Sequence, residues 1–206
     1  ARGGRSAMNP PTVACVIPTY NRLAPLQACV AAVTRQTRRP DRLIIVDNHS
    51  PDSTAAWLAS LPPAPAGIPL EVLHLATNTG GAGGYHHGLA AACRAGVDWA
   101  WTLDDDALPA PDALAALLAA AAARPGPVGF LASQVVWVDG HAHAMNSPVA
   151  APAPDGAAPG PIPYASFVSL LADVPAIRAA GLPVKEFFIH YDDVEFTRRL
   201  TARGWP

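Results

Sequence analysis

Short apolar runs that alternate with helix-forming stretches constrain the fold of this 206-residue chain more than any other feature. Each run stops at a proline or a polar residue, which predicts buried strands at 13–17, 43–46, 70–75 and 99–103. Helices are predicted at 23–37, 52–61, 82–95 and 111–123. Strands that alternate with helices in this way predict an α/β fold, in which helices flank both faces of a mostly parallel central sheet.

A polar cluster follows each predicted strand. The clusters are Thr-Tyr-Asn-Arg at 19–22, Asp-Asn-His-Ser at 47–50, Asn-Thr-Gly-Gly at 78–81 and three aspartates at 104–106. Ligands of open parallel sheets bind beyond the carboxyl ends of the strands. The sequence therefore predicts a ligand site at this edge of the sheet.

The alternation ends near Val138, and the rest of the chain is more irregular. The segment 148–163 is rich in proline, alanine and glycine, which predicts an extended or mobile loop. A strand-like pattern returns at 164–171 and a helical one at 194–203. We expect residues 1–11 to be a tail or expression scar and 12–206 to be one domain, truncated at its C-terminal end.

Composition excludes several classes of partner. A formal charge of −2 and a pI near 6.4 provide no basic field for nucleic acid, so no nucleic-acid partner is predicted. No run of ~18 apolar residues predicts a transmembrane segment. Three scattered cysteines, Cys15, Cys29 and Cys93, are expected to be buried thiols in a reducing cytoplasm.

Three consecutive aspartates are costly unless a cation or bulk solvent balances their charge. Alternation along an extended strand end places Asp104 and Asp106 on one face and Asp105 on the other. Two such carboxylates suit Mg²⁺ or Mn²⁺, whose other positions are taken by water and phosphate. The alternative is a solvated acidic turn that caps the helix predicted at 111–123.

Two further clusters carry both a functional and a structural interpretation. Asp47 has a carboxylate suited to a ligand's imide or hydroxyl edge, whereas Ser50 and Asp52 are explained by helix capping. The glycine-rich segment 78–84 allows backbone N–H groups to approach a phosphate, although neither a dinucleotide-binding fingerprint nor a P-loop is present. A flexible turn is the alternative for that segment.

Asp192 and Asp193 precede the last predicted helix. A negative charge at a helix N-terminus is stabilising by about 0.3–1 kcal/mol, which alone accounts for the pair. A carboxylate at the same place can also serve as a general base toward an attacking hydroxyl.

Taken together and in order, these motifs resemble those of family 2 glycosyltransferases of the GT-A fold. The likeness covers roughly residue 12 to the end of the chain, and it is strongest to the rhamnosyl- and galactofuranosyltransferases that build bacterial cell-surface glycans. The matching motifs are VIPTYNR at 16–22, IVDNxSxD at 45–52, NxGGxGG at 78–84, DDD at 104–106 and HYDDVEF at 190–196.

The resemblance implies specific residue roles. The nucleotide would contact Pro18, Thr19, Tyr20, Arg22, Asp47, Asn48, Asn78, Gly81, Asp104 and Asp105. Asp47 would accept from the uracil or thymine imide, while Asp104 and Asp106 would hold Mn²⁺ or Mg²⁺. Asp193 would be the catalytic base, with Asp192 as its neighbour and acceptor binder. A further metal-binding histidine of many relatives would lie beyond Pro206.

The activity implied is inverting transfer of rhamnose or a galactofuranose-like sugar from a UDP- or dTDP-sugar donor. The acceptor would be a hydroxyl of a cell-surface glycan or of a lipid-linked molecule. The protein would be cytoplasmic and would bind a lipid-linked acceptor at the inner face of the membrane. Two alternatives are a non-catalytic nucleotide-sugar-binding module and a nucleotidyltransferase. The second would require a basic glycine-rich loop early in the chain, where residues 18–27 offer only Arg22.

Overall fold

A central sheet organises the part of the chain that the computed structural model describes, residues 9–143, 146 and 161–205. Six strands lie in the order β3-β2-β1-β4-β6-β5. Their bounds are β1 Val13–Thr19, β2 Arg42–Asp47, β3 Leu70–His74, β4 Trp99–Thr102, β5 Phe130–Ala132 and β6 Leu170–Asp173. Strands β1 to β4 are parallel, and β6 runs antiparallel to both β4 and β5.

Helices cover both faces of this sheet. They are α1 Leu23–Thr34, α2 Thr54–Ser60, α3 Gly80–Ala95, α4 Ala113–Ala122, α5 Val174–Ala180 and α6 Asp192–Ala202, with short 3-10 turns at Pro65–Gly67 and Lys185–Phe187. The predicted α/β fold with a mostly parallel, doubly covered sheet is confirmed. Among the residues described, no helix is both long and apolar enough to cross a bilayer.

The later part of the chain departs from the predicted elements. The strand predicted at 164–171 is wrong over most of its length, because β6 begins only at Leu170. Backbone groups before it bond to side chains instead of a neighbouring strand: the Thr197 hydroxyl bonds to the Ala165 backbone, and the Phe167 carbonyl accepts from the Thr102 hydroxyl. Strand β5 and helix α5 were not predicted. Most of the proline-rich segment lies outside the described residues, as does most of the tail at 1–11.

Alternation along the strands divides the core into two layers. Val13, Cys15 and Ile17 pack with residues of α1 and α4, whereas Ala14 and Val16 pack with residues of α3 on the opposite face. Successive side chains of a strand point to opposite faces, so a strand buried on both sides is apolar throughout. The expectation that the cysteines are thiols holds, with Cys15 and Cys29 buried and Cys93 partly buried.

Helix α3 lies directly on β1 because two of its glycines face the strand. A Cβ added at Gly84 would stand 2.6 Å from the Cβ of Pro18, and one at Gly88 would stand 2.3 Å from Cγ1 of Val16. Both distances are far inside van der Waals contact, so the helix can occupy this position only with hydrogen at these sites. The glycines of the segment 78–84 therefore open a helix, and that helix continues the same close packing through Gly88.

Gly88→Ala should destabilise the fold by about 1–3 kcal/mol, because the added methyl overpacks a site bounded by stiff β-branched side chains. Gly81→Ala is the matched control, since a Cβ there meets nothing within 4 Å. Urea denaturation of both variants measures the difference. Equal stability of Gly88→Ala and the unmodified chain would contradict the packing described here.

Candidate active site

Adjacent parallel strands bring the predicted polar clusters together. Because β2, β1 and β4 are neighbours and run in the same direction, Thr19, Asp47 and the aspartates that follow Thr102 lie at one edge of the sheet. Helix α3 begins at the same edge, where Asn48 Nδ2 donates to the carbonyl oxygen of Gly80 at 2.7 Å. The clusters that are scattered in the sequence thus form one site.

Arg22 and Thr19 balance the acidic triplet. The Thr19 hydroxyl donates to Asp105 Oδ2 at 2.7 Å, and Arg22 Nε lies 3.5 Å from Asp105 Oδ1. Arg22 Nη2 also donates to Asp106 Oδ2 at 2.6 Å. Asp105 is buried while Asp106 is exposed, so the triplet presents a different environment at each position. One guanidinium therefore contacts two of the three adjacent carboxylates.

Asp104 is held from beneath by a tyrosine of α3. The hydroxyl of Tyr85 donates to Asp104 Oδ1. Burial raises the pKa of Asp104 to about 6, and the charges of Asp106, Asp105 and Asp193 act in the same direction, while the hydrogen bond from Tyr85 opposes them. The charge of Asp193, on the last helix, therefore acts on the triplet.

The N-terminus of α6 completes the acidic site. Asp192 is buried, and burial together with the charges of Asp193 and Asp104 raises its pKa to about 6. Asp193 is half-buried, and burial likewise raises its pKa. The backbone N–H of Val194 donates to Asp193 Oδ1 at 2.7 Å. Buried carboxylates with raised pKa values are a recognised mark of functional sites.

Arg199 fixes the position of α6. Its guanidinium donates to the carbonyl oxygens of Ala180, Gly181 and Leu182 at 2.5–3.0 Å and pairs with Glu195 at 2.7 Å. The segment that follows α5 is therefore tied to the helix that carries the acidic pair.

Asp47 and Asn48 organise the loops at the end of β2. Asp47 is buried; its Oδ1 accepts from the Ser50 N–H at 3.0 Å and its Oδ2 lies 3.0 Å from His74 Nδ1. Asn48 Oδ1 accepts from the N–H of Thr79 at 2.8 Å. Both side chains have structural partners, and their contact with a nucleotide stays a prediction.

Some of the backbone N–H groups at the start of α3 already have hydrogen-bond partners. Asn78 Oδ1 accepts from the Gly80 N–H at 2.9 Å, and the carbonyl oxygen of Phe188 accepts from the Ala82 N–H at 3.0 Å. Gly81 lies between them with open space around its Cα. Asn78 thus shapes the helix start, and Gly81 is its accessible backbone position. Their predicted nucleotide contacts remain predictions.

The remaining predicted nucleotide residues lie at the end of β1. Pro18 is buried within the strand, beneath Gly84. Tyr20 is 41% exposed and follows the strand directly. Asn21 has a positive φ of 53°, and its N–H donates to Ser50 Oγ at 3.0 Å, so the β1 and β2 loops hold one another.

Two residues of the site escaped the sequence analysis. Tyr85 lies within a predicted helix, where an aromatic residue indicates core packing and nothing more. His74 ends β3, and its pairing with Asp47 depends on strand order, which the sequence does not encode locally. Neither carries a motif that would have distinguished it.

The donor set fits a divalent cation that is completed by a ligand. Across residues 9–143, 146 and 161–205 no group of three or more His, Cys, Asp or Glu side chains forms a full metal cage. Asp104 and Asp106 each use one carboxylate oxygen, toward Tyr85 and Arg22 respectively. Mg²⁺ and Mn²⁺ sites with one or two carboxylates and substrate phosphates have this composition.

Asp104→Asn should stabilise the fold by about 1–2 kcal/mol at pH 8 in EDTA, which corresponds to a rise of ~2–8 °C in the melting temperature. The amide can still accept from Tyr85, while the buried charge is removed. The pKa of Asp104 is raised in the folded state to about 6, so its charge destabilises the fold above that pH. The gain should shrink as pH falls through 6 toward 4, where the native carboxyl takes up its proton. Asp112→Asn, at an exposed position, is the control. A pH-independent gain would contradict this account.

Comparison with known proteins places this geometry in a family. Residues 14–147 match the family model described as glycosyl transferase family 2. The chain is 34% identical over 216 residues to galactofuranosyltransferase GlfT1 of Mycobacterium tuberculosis, across 95% of this chain and 66% of that protein. It is 29% identical over 212 residues to GlfT1 of Mycolicibacterium smegmatis, across 94% and 67%. It thus spans about two thirds of these relatives.

Solved structures agree in fold. Residues 1–349 of S. aureus TarS in complex with UDP superpose with a TM-score of 0.69 at 17% identity, covering 90% of this chain and 54% of that one. The mannosyltransferase PcManGT from Pyrobaculum calidifontis, in complex with GDP-Man and Mn²⁺, gives 0.69 at 19% identity, covering 96% and 54%. The chain has the GT-A fold and belongs to glycosyltransferase family 2.

Proposed function

We propose that this chain forms the donor-binding and catalytic part of an inverting, metal-dependent glycosyltransferase that uses a UDP-sugar. The observation that carries the proposal is the meeting of two acidic clusters at one end of the sheet: the charge of Asp193 raises the pKa of Asp104, and the charge of Asp104 raises the pKa of Asp192. One cluster suits the diphosphate end of a donor, and the other suits the hydroxyl of an acceptor.

The donor side is built from the ends of β1, β2 and β4. Tyr20, exposed beyond β1, would stack on the base, and Asp47 would accept from the base imide. Pro18, Thr19, Asn48, Asn78 and Gly81 would form the wall of the pocket. Arg22 has a half-exposed guanidinium 2.6 Å from Asp106, within reach of a diphosphate. Charge-assisted hydrogen bonds from arginine to phosphate are strong, which supports this assignment.

Asp104 and Asp106 would hold Mn²⁺ or Mg²⁺. The buried Asp105 would contact the nucleotide. When bound, the cation would neutralise charge on the diphosphate leaving group. Thr19 and Arg22 already offset part of the carboxylate charge. The protein's contribution would be to hold the two carboxylates in place, Asp104 through Tyr85 and Asp106 through Arg22.

Asp193 would act as the general base. It is the more accessible of the pair, so an acceptor hydroxyl can reach it, while the buried Asp192 lies beside it and would contact the acceptor. A raised pKa makes an ionised carboxylate a better proton acceptor than an ordinary aspartate. The hydroxyl, losing its proton to Asp193, would attack the anomeric carbon in line. The bond from that carbon to the diphosphate oxygen would break, so UDP would leave and the configuration would invert.

The similarity to GlfT1 favours a galactofuranosyl donor over a rhamnosyl one, and hence UDP over dTDP. A glycan or lipid-linked acceptor at the inner face of the membrane is part of the same proposal. A non-catalytic nucleotide-sugar-binding module would keep the triplet but give Asp193 no role. Burial disfavours the charged forms of Asp192 and Asp193, and a catalytic role gives a reason for keeping them at this position, which favours the transferase.

Asp106→Ala should abolish the Mn²⁺ dependence of UDP binding, lowering affinity about tenfold or more through loss of one metal ligand. Calorimetric titration with UDP and with dTDP, each in Mn²⁺ and in EDTA, measures this and ranks the two bases. Asp112→Ala, an exposed acid before α4, is the matched control and should bind as the unmodified chain does. Retained Mn²⁺ dependence in Asp106→Ala would remove Asp106 from the metal site.

Asp193→Asn should bind Mn²⁺ and UDP normally while transfer falls about 10²–10⁴-fold, because proton removal is lost and the donor pocket is kept. The assay is product formation from UDP-galactofuranose and an alkyl galactofuranoside acceptor. Glu186→Gln, an exposed acid outside the site, serves as the control. Undiminished transfer by Asp193→Asn would rule out its role as base and favour Asp192.

A further inference from the structure

Tyr85 is a buried polar group of the site. It lies in the second turn of α3, is 5% exposed, and directs its hydroxyl to Asp104 Oδ1. The position follows from the close packing of α3 on β1, because Gly84, the preceding residue, rests on Pro18. A helix held farther from the sheet would carry the phenol away from Asp104.

An aromatic row fixes the ring of Tyr85. The centroid of its ring lies 4.3 Å from that of Phe167, and Phe167 lies 5.7 Å from Phe196. Phe196 is fully buried on α6, one turn after the acidic pair. The row therefore joins α3, which carries Tyr85, to the segment before β6 and to α6, which carries the acidic pair.

The hydroxyl of Tyr85 contacts the acidic triplet directly, because it donates to Asp104 Oδ1. That bond engages one oxygen of the carboxylate, so a ligand of Asp104 would bind Oδ2.

We infer that Tyr85 is a positioning residue that orients the Asp104 carboxylate for the metal-bound donor. Its ring also links Asp104 to α6 through the aromatic row. The inference rests on the function proposed above and adds a residue to it. Loss of the hydroxyl leaves Asp104 free to rotate and removes a partner from a partly buried charge, and hydrogen bonds to charged groups are the strong ones. The ring would still fill its place in the aromatic row.

The test is Tyr85→Phe, with Tyr164→Phe as matched control because the Tyr164 ring contacts Arg198 and stands outside the acidic site. UDP binding is titrated by calorimetry at a series of Mn²⁺ concentrations. We expect the Mn²⁺ concentration for half-maximal UDP affinity to rise about tenfold in Tyr85→Phe. At saturating Mn²⁺ the UDP affinity should return to within about twofold of the unmodified chain, and Tyr164→Phe should behave as unmodified throughout.

Each other outcome overturns the inference in a distinguishable way. An unchanged Mn²⁺ requirement in Tyr85→Phe means that the hydroxyl does not orient Asp104. Equal loss of UDP affinity at every Mn²⁺ concentration, with a lowered melting temperature, means that Tyr85 only packs. Absence of Mn²⁺-dependent UDP binding in the unmodified chain overturns the proposed function itself, and this inference with it.

Discussion

The contact between α3 and β1 is the constraint on which the site depends. Gly84 and Gly88 let the helix lie on Pro18 and Val16 at a distance that no side chain would permit. That approach places Tyr85 against Asp104 and the start of α3 against the loop after β2. It also brings the carbonyl of Phe188 onto the Ala82 N–H, so the chain that leads into α6 is fixed by the same helix.

Electrostatic strain is the cost of bringing the two acidic clusters together. Burial raises the pKa of both Asp104 and Asp192 to about 6, so near neutral pH the folded state carries charges that its own interior disfavours. The hydrogen bond from Tyr85 offsets part of this cost at Asp104, while Arg22 and Thr19 act on the neighbouring Asp105. Such opposition between stability and function is common at active sites, where residues are selected for chemistry.

Local patterns predicted the first half of the molecule well. Strands β1 to β4 and helices α1 to α4 are consecutive, and their apolar periodicity needs no knowledge of distant partners. Elements that are short, or that depend on distant residues, were missed. Strand β5 has only three residues. The strand expected from 164 does not form at its start because the backbone there bonds to Thr197 and Thr102, which are far away in the sequence. Helix α5 did have local signals, an N-cap at Asp173 and a proline in its first turn.

The candidate site shows the same division. The aspartate triplet could be recognised because it follows a buried strand, and the α6 pair because it precedes a helix. Their proximity, and the part played by Tyr85, arise from the packing of α3 and α6, which no single stretch of sequence specifies. His74 is similar, since it meets Asp47 only through the parallel pairing of β2 and β3.

The reversed direction of β6 has a consequence for how this architecture can diversify. Strand β5 ends at the site edge of the sheet and β6 starts there, so the connection between them leaves and returns at one rim. Its length and composition can change while the hydrogen-bonded ladder stays intact. Chimaeras that exchange this connection but keep its last residues, 165–169, would therefore retain the aromatic row and the framework, a modular route to new selectivity.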